Sequence, residues 1–147
     1  MKPFSRILIF SLPLLGLLLV VAGCGGGNDL PIVPVSGTIT FAGGPCPAEG
    51  TISFTPVSVE EGLPRRPGTA KFQTDGAFEV TSFEPGDGLI PGTYQAIISC
   101  WKAQPSSDNP SSYETNNHVP RDYRPEVVVA KDADSAEVKL DVPPKKG

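Results

Sequence analysis

Apolar and polar positions alternate with a period of two through most of the chain beyond residue 33, in short runs set off by Gly and Pro. Val35–Phe41 puts Val35, Ile39 and Phe41 on one face, and Thr51–Thr55 does the same with Ile52 and Phe54. The link between them, Ala42–Pro45 (AGGP), reads as the turn of a hairpin. Thr69–Thr74 and Ala77–Thr81 flank Asp75-Gly76, a dipeptide suited to the positive φ angles of a tight hairpin turn. The most strand-like run is Thr93–Trp101, where Tyr94, Ala96, Ile98 and Cys100 share a face. Glu126–Ala130 and Ala136–Val142 follow as a last expected hairpin around Lys131–Asp134. No helical period free of Pro and Gly is sustained after residue 24. The pattern predicts an all-β fold of about seven strands, the usual complement of a Greek-key β-sandwich. Residues 58–68, Glu84–Gly92 and 103–118 read as connections, the last a mobile Ser/Pro/Asn-rich excursion.

The N-terminus breaks this rhythm. Lys2 and Arg6 precede an apolar run from Ile7 to Val21, and no acidic residue occurs before Asp29. That order matches a secretory signal peptide. The run is short of the about 20 residues a spanning helix needs, and Pro13 interrupts it. The small residues Ala22 and Gly23 then lead into Cys24, which predicts a bacterial lipoprotein signal cut between Gly23 and Cys24. Several acyl chains on Cys24 would anchor the chain stably. The expected organisation is a signal peptide over residues 1–23, a lipidated Cys24 with a Gly-rich tether over 24–32, a β-sandwich over 33–142 and a frayed tail over 143–147.

Composition narrows the partners. The chain carries a net charge of −4, and loss of Lys2 and Arg6 with the signal makes the remainder more acidic still. An acidic module lacks the electrostatic footprint for nucleic acid and any basic patch for anionic lipid. Attachment would rest on the acyl chains, on the extracytoplasmic side of a membrane, most simply an outer membrane facing the periplasm or the cell surface.

Several short motifs occur in one order: Val35–Ile39 (VSGTI), Phe54–Pro56 (FTP), Thr74–Phe78 (TDGAF), Pro91–Tyr94 (PGTY) and Val119–Tyr123 (VPRDY). Together they resemble the carboxypeptidase regulatory-like, or transthyretin-like, domain of small bacterial envelope lipoproteins, over roughly residues 33–142. The Asp75-Gly76 turn is one residue shorter than that pattern, and the Ser/Gly-Leu expected after Tyr123 is absent. The resemblance implies a transthyretin-like β-sandwich used for spacing, packing or binding. It carries no catalytic residues, because the peptidase machinery of the proteins that give the family its name lies in another domain.

The residues themselves offer little chemistry. Cys46 and Cys100 remain once Cys24 is assigned to lipid, and they form either a disulfide or two separate thiols. His118 is the single histidine, placed in a polar excursion with no nucleophile elbow in the chain. Zinc lacks paired ligand spacing, and Asp75, Asp87, Asp132 and Asp134 suit turn hydrogen bonding better than a calcium loop. Neither metal nor cofactor is expected. Trp101, Tyr113 and Tyr123 are the candidate ligand-binding aromatics, with structural packing as the competing role. The expectation is a non-enzymatic, lipid-anchored envelope module with a structural or protein-interaction role. Its alternative is a lipoprotein binding a glycan or peptide through the 103–118 loop. Clustering of the three aromatics around one pocket would favour binding.

Overall fold

The computed structural model describes residues 29–146. The signal, its cleavage site, Cys24 and the start of the tether lie outside the described residues. Among the described residues no helix is long and apolar enough to cross a membrane.

The described chain is all-β. Its strands are β1 (Val35–Phe41), β2 (Gly50–Val59), β3 (Gly68–Phe72), β4 (Ala77–Glu79), β5 (Gly92–Cys100), β6 (Glu126–Val129) and β7 (Ala136–Val142), with one helical turn, α1 (Ser112–Thr115). One sheet has the order β4-β1-β7, the other β3-β2-β5-β6. β1 runs parallel to β7 in register from Val35–Ala136 to Phe41–Val142, and the remaining ladders are antiparallel. Alternation decides which residues turn inward. Ile39, Ile52, Phe54, Tyr94, Ala96 and Val142 are wholly buried in one core shared by both sheets, and Phe54 meets Phe78 across it at 6.1 Å between ring centroids.

Three expected hairpins are corrected. β1 and β2 belong to different sheets, as do β3 and β4, and β6 and β7. Each link therefore arches over the core instead of closing a ladder. Alternation identifies the inward side chains, and either sheet can satisfy an inward set. The Asp75-Gly76 turn shows how. Gly76 (φ +77°) donates to Gln73 O at 2.9 Å, and Asp75 Oδ1 accepts the Ala77 N–H at 3.1 Å. Gly76 O, however, accepts from Ile39 N in β1 at 2.9 Å, and the flanking strands meet only where Thr69 and Thr81 exchange backbone hydrogen bonds. β2 also runs beyond its expected end, through an irregularity between Pro56 and Ser58, to Val59.

The registers sort the loops to two poles. The chain enters at Val33, which pairs with Leu89 beside the 81–92 connection. At the other end of β1, Phe41 lies with Val142, the Cys46 loop and the 73–76 turn, and Gly50, Phe72 and Cys100 align in one row. The 101–118 excursion leaves from that row, so entry and excursion occupy opposite ends.

The connection near the entry is held by Asp87. Its carboxylate accepts from Ser82 N (2.7 Å), Phe83 N (2.9 Å) and Glu84 N (3.0 Å). Burial opposes its charge, but these backbone donors outweigh burial and hold the carboxyl below the usual carboxylate range. A depressed folded pKa contributes stability above the unfolded value of about 3.9 and loses it as pH falls through the folded value. Asp87→Asn is expected to cost about 1–2 kcal/mol at neutral pH. It should also flatten the loss of stability below pH 4, read by urea denaturation across pH; an unchanged acid limb would refute this role.

Candidate functional site

The excursion is built as a tied loop, with its two stems joined at the end of β5. Lys102 N donates to Asn116 O at 2.7 Å, His118 N donates to Cys100 O at 2.8 Å, and Trp101 bridges Asn117. The Asn117 amide oxygen accepts from both Cys100 N and Val119 N at 3.1 Å, which fixes the return of the chain. Within the loop the buried Ser112 hydroxyl accepts from Ser106 N at 2.8 Å and anchors α1, which carries Tyr113 outward. From the tail, the Lys145 ammonium donates to Glu114 O and to Asn117 O. Residues 143–146 thus have a clasp on the excursion.

Beneath the loop lies a cleft of about 240 Å³ floored by Ile97 and Ser99 of β5. Tyr113 and Tyr123 both line it, although they stand ten positions apart in sequence. Trp101 does not line it. Its ring packs against Tyr113 at 5.9 Å and 82°, a T-shaped contact, and forms a wall of a neighbouring hollow of about 230 Å³. The structure therefore brings two of the three expected aromatics together at the cleft and uses the third to brace one of them. Tyr113 is half exposed, whereas Tyr123 packs partly against the core, where burial first and then the Asp141 charge raise its phenol pKa.

The cleft also gathers residues that the sequence reading passed over: Arg121, Arg124, Lys145 and Glu114. Arg121 pairs with Glu114, and both are largely exposed. Arg124 Nε donates to Arg121 O at 3.3 Å and has no carboxylate partner among the described residues. The two arginines flanking Tyr123 were visible as neighbours in sequence, but the arrival of Lys145 depends on where β7 ends.

No family model, curated protein or solved structure matches the chain.

The other candidates sit apart from the cleft. His118 lines a separate hollow of about 280 Å³ with Pro45, Pro47, Pro144, Lys102 and Lys145. Burial, then the Lys102 and Lys145 charges, lower its pKa, and neither Cys46 nor Cys100 lines that hollow. The structure carries Cys46 and Cys100 as free, buried thiols. Cys46 Sγ donates to Ile39 O at 3.3 Å, and Cys100 Sγ to Ala48 O at 3.5 Å. Burial pushes the Cys46 thiol up to about 11, with the Cys100 and Asp75 charges adding to the effect. Thiols so placed are poor nucleophiles. Among the described residues no group of three or more His, Cys, Asp or Glu converges as a metal site. A larger groove, about 1070 Å³, crosses the junction of β3 and β4. It is lined by outward hydroxyls such as Ser36, Thr38, Thr51 and Thr69, and it offers no tyrosine or tryptophan.

Proposed function

We propose that the chain is a non-enzymatic, lipid-anchored lipoprotein of the cell envelope that binds a glycan or peptide through the cleft under its 101–118 loop. The observation that carries this reading is the convergence of Tyr113 and Tyr123 on one cleft, with Trp101 bracing the first. Tyr113 is half exposed in the cleft lining, which leaves its ring available for stacking. The non-enzymatic part is supported by the burial of both thiols, which raises their pKa values and leaves them poor nucleophiles.

The fold is proposed to be a transthyretin-like Greek-key sandwich. The shared core, the repeated crossing of the chain between the two sheets (β1 to β2, β3 to β4, β4 to β5 and β6 to β7) and the buried Tyr94 hydroxyl donating back to Ile90 O at 2.8 Å favour it. The motif glycines have structural work consistent with the resemblance: a Cβ on Gly37 would stand 2.0 Å from Val138 O. The anchor rests on the order of basic, apolar and small residues before Cys24.

Two arms test the proposal on the intact protein. Cys24→Ala is expected to move the protein from the membrane to the soluble fraction; persistence in membranes overturns the anchor. In detergent extract, wild-type protein should be retained on an immobilised panel of envelope polysaccharides and peptides, and Tyr113→Ala with Tyr123→Ala should reduce that retention at least about tenfold. Retention on nothing, or retention that ignores both tyrosines, overturns the binding role.

A further inference from the structure

We propose that the ligand is an acidic glycan, with a sugar carboxylate seated by Arg124 between Arg121 and Lys145 and its ring lying against Tyr113 and Tyr123. The inference rests on the reading of this cleft as the binding site and adds the class of ligand.

Charge carries it. The chain as a whole is acidic, yet the cleft lining holds three cations, Arg121, Arg124 and Lys145, against a single carboxylate, Glu114. Glu114 is already engaged by Arg121. Among the described residues, Lys145 meets the carbonyl oxygens of Glu114 and Asn117 and Arg124 the carbonyl of Arg121, with no carboxylate partner for either. Two positive charges are thus left without a carboxylate in a partly enclosed space. A carboxylate satisfies them, and the planar guanidinium suits it through two parallel hydrogen bonds. The acidic body repels an anion elsewhere on its surface, so short-range attraction singles out the cleft.

Shape selects a sugar. A cleft of 240 Å³ lies below the roughly 300–1,000 Å³ of sites that enclose drug-sized ligands, so it suits about one ring, with the rest of a chain running out over the surface. The apolar contacts come from two tyrosines at an open cleft, and the Trp101 contact limits the freedom of Tyr113. Aromatic platforms of low conformational entropy suit the C–H face of a pyranose. Ser99 and Asn117 add polar groups at the floor and wall for ring hydroxyls.

The test is calorimetric titration of the intact, detergent-extracted protein with galacturonate, glucuronate and mannuronate oligosaccharides, each beside its methyl ester. At least one free acid is expected to bind about tenfold or more tightly than its ester, with the preference shrinking as salt rises. Arg124→Gln, an exposed change, should bring the acid-to-ester affinity ratio close to one, and a ratio that survives it overturns Arg124 as the carboxylate seat. Equal affinity for acid and ester overturns the acidic class but leaves glycan binding standing. Binding of an oligoglutamate peptide with no sugar binding overturns the glycan in favour of an acidic peptide. Failure of every sugar and peptide overturns both this inference and the proposed function.

Discussion

Gly76→Ala is expected to destabilise the domain by about 3 kcal/mol, the sum of strain and collision at one point. The residue has φ +77°, where an L side chain is strained, and a Cβ there would stand 1.9 Å from Ile39 O and 3.0 Å from Ile39 C. Backbone atoms cannot swing aside as a side-chain tip can. Relief requires moving the turn away from β1, which breaks the 2.9 Å hydrogen bond from Ile39 N to Gly76 O and leaves a buried amide without its partner. Gly43→Ala separates the two causes. Gly43 has nearly the same φ, +76°, but nothing within 4 Å of the added carbon. It should lose only the strain, about 1 kcal/mol. Thermal and urea denaturation of both variants decides the matter, with a fall in Tm of roughly 10–20 °C for Gly76→Ala. Equal losses for the two would remove the collision from the account.

Phe54→Ala is expected to cost more, about 3–5 kcal/mol. Phe54 is fully buried on β2, a strand flanked by β3 and β5, so the backbone around it is held on both sides and cannot collapse into the space left. Its ring faces Phe78 of the opposite sheet, so the cavity opens between the two layers rather than at an edge. Val57→Ala, three positions along the same strand but half exposed, should change stability by less than about 0.5 kcal/mol. The urea midpoint should fall for Phe54→Ala with little change in slope. A loss similar to that of Val57→Ala would show that Phe54 is not a central packing residue.

The strands were largely legible because burial follows parity. Tyr94, Ala96, Ile98 and Cys100 are all buried as alternation requires, and β7 begins and ends where its pattern does. Partnership was not legible. Asp75-Gly76 has the residues of a hairpin turn, but the choice between closing a ladder and arching to β1 turns on the Ile39–Gly76 hydrogen bond, a contact between segments far apart in sequence. The candidate site divides in the same way. Trp101, Tyr113 and Tyr123 stood out by residue type, whereas the role of Lys145 depends on β7 pairing parallel with β1 and delivering the tail to the excursion. Arg124 lay in plain view beside Tyr123, but a charge without a partner can be recognised only when its surroundings are known.

The opposite placement of chain entry and excursion sets a reach. β1 alone spans about 20 Å at roughly 3.3 Å per residue, and the segment from Cys24 to Ile32 can add up to about 30 Å when extended. With Cys24 as the anchor, the cleft would lie at the end of the domain away from the tether and would range through a zone whose depth the tether sets. Under the proposed reading, a ligand standing in the next layer would be within reach, and shortening the tether would bring the cleft short of it without altering a contact in the fold.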